Sequence, residues 1–92
     1  MPTKRIGHNI AGARVTLGWE QAELAEAVNN QTDVLMSRRT LGRIERGERE
    51  ARASEIAAFA EVLGVPVSWF YEGPDWLDSA NEMGGYLQLA IA

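Results

Sequence analysis

Ninety-two residues carrying nine lysines and arginines against thirteen acids, for a net charge of −4, describe one small domain with a modest core. The absence of cysteine excludes disulfides and thiolate metal sites and fits a reducing cytoplasm. No run approaches a membrane span, and the opening Met-Pro-Thr-Lys-Arg-Ile lacks a signal peptide's apolar stretch, so a soluble intracellular chain with no membrane partner is expected.

Taken in order, the chain reads as consecutive helices. Ile6, Ile10, Ala13 and Leu17 recur at helical spacing and predict a first helix over residues 4–17, with Gly18 as its stop. A second is predicted from Glu20 to Val28, with Leu24, Ala25 and Val28 facing inward and acids near its start, where the helix dipole favours them. Residues 37–47, Ser-Arg-Arg-Thr-Leu-Gly-Arg-Ile-Glu-Arg-Gly, predict a third: Ser37 caps it, Leu41 and Ile44 face the core, and Gly47 closes it. Ser54 is the candidate cap of a fourth, whose stripe is Ile56, Phe59, Ala60 and Leu63 and whose end is Gly64. Pro66 pre-sets the first turn of a short fifth helix carrying Trp69 and Phe70, and Gly73-Pro74 breaks the chain. No central strand or repeat is evident, so the expected class is all-α.

The remaining stretch, 74–92, is too apolar for a free disordered end, with Trp76, Leu77, Met83, Tyr86, Leu87, Leu89 and Ile91. Asp78 or Ser79 can cap a sixth helix, and Gly84-Gly85 can turn the chain into an extended Tyr86–Ala92. We expect a domain at 1–73 and a C-terminal extension at 74–92 that packs on its own domain or on a twin subunit.

The third helix carries the most chemistry. Arg38, Arg39 and Arg43 lie off its buried stripe, which suits insertion into a DNA groove; the bland alternative is a solvated basic helix that reads nothing. The distribution of charge favours the first. Residues 4–52 hold all nine basic groups against seven acids, whereas residues 53–92 hold six acids and no base. Within 37–52, six arginines face three glutamates, and local field governs association more than the total does.

Three stretches in order carry a family likeness: Gly18-Trp19-Glu20-Gln21-Ala22-Glu23-Leu24-Ala25, then Ser37 to Gly47, then Leu63-Gly64-Val65-Pro66-Val67-Ser68-Trp69-Phe70. With them, residues 6–73 resemble the Cro/repressor-like (XRE-type) helix-turn-helix family of phage and bacterial transcription regulators. The resemblance implies a five-helix lambda-repressor-like DNA-binding domain that meets double-stranded operator DNA, usually as a homodimer on an approximate palindrome. It implies no cofactor, metal or small-molecule substrate.

The likeness also assigns residues. Arg14 and Glu45 match a pair expected to form a partly buried salt bridge between the first and third helices; the alternative is two unrelated surface charges. Gln21 matches the residue that bonds a DNA phosphate from the start of the second helix, where N–H groups and the dipole already favour an anion. The alternative is an ordinary polar position. Ser37, Arg38, Arg39 and Arg43 match the base-reading positions, with Thr40 in reach of a phosphate or a thymine methyl. Arginine bonds guanine O6 and N7 together, so guanine is expected in each half-site. Arg38 and Arg39 diverge by about 100° around a helix, so one of the arginines is expected to serve phosphates. Arg46 and the N–H groups around Gly47 and Glu48 are expected to hold the DNA backbone at the far end.

Three features depart from the family. A helix-turn-helix connection takes only a few residues, whereas Asn29 to Met36 separate Val28 from Ser37, roughly six more. Asn29 stands where the turn usually has glycine, and asparagine tolerates the left-handed conformation. The extra residues are either a loop pinned by Leu35 or Met36, or a lengthened third helix capped by Thr32 or Asp33 with Val34 continuing the Leu41 stripe. Glu20, Glu48 and Glu50 place carboxylates near expected phosphates and would weaken binding. Gly42 sits inside the recognition helix, at a cost of about 1 kcal/mol relative to alanine.

Two other classes compete. Enzymatic function has little support: the only histidine is His8, and no nucleophile motif, phosphate loop or zinc spacing is present. A protein-interaction module of the same fold, antitoxin-like or partner-sequestering, remains the alternative, because the acidic C-terminal half and apolar tail can hold a protein.

Overall fold

The computed structural model describes residues 2–72, which form five helices and no strand. They are α1 (Pro2–Thr16), α2 (Gln21–Gln31), α3 (Arg38–Glu45), α4 (Ala53–Leu63) and α5 (Trp69–Glu72). The all-α expectation holds. The predicted sixth helix, the extended end and the 74–92 extension lie outside the described residues.

α1 is the hub, packing on α3, α4 and α5, while α2 packs on α3 and α4. The stripes read from helical spacing are the ones that close the core: Ile6, Ile10 and Ala13, then Leu24, Ala25 and Val28, then Leu41 and Ile44, all buried. Phe59, Leu63 and Phe70 complete it without exposed surface. Trp69 and Phe70 meet edge to face, with ring centroids 5.5 Å apart. Gly18 and Gly64 end their helices with φ of 76° and 73°, as the stop signals implied.

Two residues on α1 carry constraints that periodicity did not single out. At Gly7 the helix crosses the end of α3 so closely that a β-carbon would overlap the Ile44 carbonyl oxygen and sit 3.2 Å from the Glu45 α-carbon. The obstacle is backbone, so no side-chain rotation relieves it. Asn9 is 1% exposed and donates from Nδ2 to the Phe70 carbonyl at 2.8 Å, tying α1 to α5. An asparagine on an apolar stripe, beside Ile6, Ile10 and Ala13, is the sequence signal for such a buried tie.

The fourth helix starts differently from expectation. Its cap position is Arg52, not Ser54, which lies exposed in the first turn. Glu55 decides this: its carboxylate accepts from the Arg52 backbone N–H at 2.8 Å and from both terminal nitrogens of Arg49, at 2.8 and 3.0 Å. Burial pushes the Glu55 carboxyl towards its neutral form, but the bonds from Arg49 and the Arg52 N–H outweigh it and hold the pKa below the ordinary value.

Gly7→Ala should therefore lower the urea midpoint, costing about 1–3 kcal/mol through overpacking, even though alanine favours an isolated helix. Glu55 binds its proton more readily unfolded than folded. Its contribution is present above the ordinary glutamate pKa of about 4.3 and is lost as pH falls through the lower folded value. Urea midpoints from about pH 6 to about pH 3 should thus decline less steeply for Glu55→Gln than for the wild type.

Candidate nucleic-acid interface

The presentation of α3 begins in the segment before it. The extra residues are shared out: α2 continues through Asn29, Asn30 and Gln31 instead of ending at Val28, and a connector runs from Thr32 to Ser37. α3 is not lengthened. Thr32 ends α2, its hydroxyl donating to the Val28 carbonyl at 2.8 Å and accepting from the Val34 N–H at 3.1 Å. Among the described residues no residue other than glycine has positive φ, so Asn29 is helical, not left-handed. It works through its amide instead. Oδ1 accepts from the Met36 N–H at 2.6 Å and Nδ2 donates to the Met36 carbonyl at 2.8 Å. Of the two candidate pins only Met36 is buried; Leu35 is exposed.

Ser37 caps α3 as predicted. Its Oγ accepts from the Thr40 N–H at 3.0 Å and donates to Thr40 Oγ1 at 3.0 Å, leaving the Thr40 hydroxyl proton for another partner. Arg38, Arg39 and Arg43 are exposed, and among the described residues their side chains form no hydrogen bond or ion pair. Arg39 and Arg43, four apart, share a face one turn from each other, while Arg38 points about 100° away. These three guanidinium groups are available together on a helix whose other face, Leu41 and Ile44, is fully packed.

Beneath them lies a polar knot. Arg14 Nε and Nη2 meet Glu45 Oε2 and Oε1 at 2.8 and 3.0 Å, and Arg14 Nη1 donates to the Trp19 carbonyl at 2.7 Å. Gln21 Nε2 donates to the same Glu45 Oε1 at 2.9 Å. With side-chain exposures of 14% for Arg14 and 6% for Glu45, the pair is nearly dry, so the predicted salt bridge exists and fastens three elements. An amide nitrogen has two protons, and the bond to Glu45 uses one, which leaves Gln21 a second donor of fixed direction. Gly42 is buried beneath this group: a β-carbon there would lie 3.6 Å from Gln21 and 3.1 Å from the tip of Arg46. The distance to Gln21 is ordinary packing, and only the flexible tip of Arg46 would have to shift for a side chain there.

The far end of α3 is more closed than the sequence implied. Gly47, at φ 75°, donates its N–H to the Ile44 carbonyl at 3.0 Å, and the Glu48 N–H goes to the Arg43 carbonyl at 2.9 Å. The backbone donors expected to hold a phosphate are therefore spent on ending the helix, because a left-handed residue at this point turns its amide back onto the last turn. Arg46 is exposed but paired, Nε to Glu48 Oε2 at 2.8 Å, and this bond raises the arginine pKa and lowers that of Glu48. The carboxylate expected to repel phosphates is thus neutralised by its neighbour, and Arg46 must leave it to meet one.

Removing one member of the knot strands a charge in a nearly dry site. Arg14→Ala should cost about 3–5 kcal/mol, read as the loss of midpoint in thermal or urea unfolding.

The family described as helix-turn-helix matches residues 10–70, which span α2 to α4 whole, the C-terminal part of α1 and the start of α5. No curated protein and no solved structure matches the chain significantly. The matched span covers well over half the sequence and contains the capped α3, the Arg14–Glu45 pair and Gln21. The chain belongs to the Cro/repressor-like (XRE-type) helix-turn-helix family, whose domain is a DNA-binding regulatory one rather than an enzymatic one.

Proposed function

We propose that the protein is a sequence-specific regulator of transcription in the cytoplasm, most simply a repressor that occupies a palindromic operator as a homodimer and obstructs polymerase. The observation that carries this reading is the set of three exposed guanidinium groups on one short, rigidly packed helix, none of them in a hydrogen bond or ion pair among the described residues. Arg39 and Arg43 share the face that enters the major groove and take guanine edges, with Ser37 at the rim. Arg38, turned away from them, reads a flanking base or meets a phosphate. The second amide proton of Gln21 and the free hydroxyl proton of Thr40 meet phosphates on one side of α3. Arg46 exchanges Glu48 for a phosphate on the other. Gly47 acts by closing the helix and directing Arg46. Exposed Val67 and Tyr71, beside and on α5, offer apolar surface to a twin subunit.

Selecting bound duplexes from a random pool tests the reading. The expected winner is a palindrome with guanine in each half-site. Replacing Arg38 and Arg39 together by alanine should weaken it roughly ten- to a hundred-fold per half-site while the unfolding midpoint is kept. In a salt titration, each arginine that serves a phosphate should flatten the slope of log K by about 0.9 when removed. A double variant that binds the winner like the wild type supports the protein-interaction module instead.

A further inference from the structure

Leu35 is 87% exposed, more than any other large hydrophobic among the described residues; the next, Val15, is 62% exposed. Nothing about its position is loose. On one side, the Val34 N–H is held by Thr32 Oγ1, and Val34 packs against the core. On the other, Met36 is buried, and both its backbone polar groups are held by the Asn29 amide. Burial alternates along the segment: Val34 is partly buried, Leu35 exposed, Met36 buried and Ser37 exposed. In an extended chain that alternation puts Leu35 on the same side as Ser37, the residue that opens α3.

A single exposed leucine is ordinary on a protein surface; what sets this one apart is that the bonds on either side hold it in place beside the start of α3. The surface it shares narrows what it would meet. Ser37, Arg38 and Arg39 follow within four residues, exposed and, among the described residues, with no carboxylate paired to either arginine. Asp33, also exposed and two residues earlier, disfavours a phosphate on the outer side. An apolar group between a cationic helix end and an acid suits the floor of a groove better than its phosphate wall. In the major groove one natural base presents an apolar group, the C5-methyl of thymine.

We infer that Leu35 is a further specificity-determining residue, covering the methyl group of a thymine that lies outside the bases met by the arginines. The inference rests on the DNA-reading function proposed above and deepens it. The connector that departs from the family pattern is then part of the reading surface and not a spacer.

The test takes the duplex selected by the wild-type chain and replaces its thymines by deoxyuridine one at a time, removing only the methyl. Binding is measured by fluorescence anisotropy for wild type and Leu35→Ala. The wild type should lose about four-fold at one thymine in each half-site, the worth of one buried methyl group. Leu35→Ala should bind the methylated duplex more weakly by a similar factor and show no loss at that uridine. Because Leu35 buries little in the fold, its variant should keep the wild-type melting midpoint. Uridine profiles that are the same in both proteins overturn the inference while leaving the arginines' role standing. So does a variant that loses self-association yet keeps the wild-type profile, since Leu35 then meets a second subunit. A pool that yields no winner overturns the DNA reading itself, and this inference falls with it.

Discussion

The nearly dry ion pair between Arg14 and Glu45 is the constraint on which the arrangement of this domain rests. It reaches from the first helix to the end of the third, and its spare bonding capacity gathers the Trp19 carbonyl and the Gln21 amide, so the entry to the second helix is fixed as well. Hydrophobic burial is non-directional and would tolerate several rotations of a short helix in its seat. Charged groups that lack water tolerate far fewer, because each unmade bond leaves a costly polar atom. Glu45 of the pair also borders the crossing at Gly7, where backbone meets backbone. Together they set the depth and angle of the helix from which the arginines project.

A second device with the same logic lies just after α3. Glu55 gathers Arg49 and the Arg52 amide, so the stretch leaving α3 is tied to the start of α4. α3 is eight residues long, too short to be a stable helix alone, and its shape comes from these flanking attachments. Among the described residues, Arg38, Arg39 and Arg43 are the arginines of α3 left without an ion pair. Arg14 and Arg49 serve structure and Arg46 is held in reserve by Glu48, which divides one residue type among three tasks.

Much of this was legible in the sequence because it follows from periodicity and from resemblance. The stripes, the Ser37 cap, the glycine stops and the Arg14–Glu45 pair are set by local spacing or by a familiar pattern. What was not legible involves contacts between residues far apart, or competition between equal local options. Asn9 lies on an apolar stripe, which signals burial, but its partner Phe70 is 61 residues away and local spacing cannot name it. Ser54 is the cap that local preference offers for α4, and the earlier start at Arg52 is set by Glu55, whose second partner Arg49 lies outside the helix. The connector offered two readings, and the chain took the loop pinned by Met36 rather than a longer α3. Three residues joined α2 because the Asn29 side chain could then reach Met36, a benefit that a left-handed asparagine would forfeit.

That reach is made across seven residues of one segment, with no help from a partner. A loop ordered only on arrival at its target spends part of the interaction energy on its own lost freedom. Here the loss has already been met during folding, by bonds that are short in sequence and closed within the chain. Whatever binds beside Ser37 therefore meets a preorganised edge, and its affinity is not taxed by the disorder that an inserted loop would ordinarily bring.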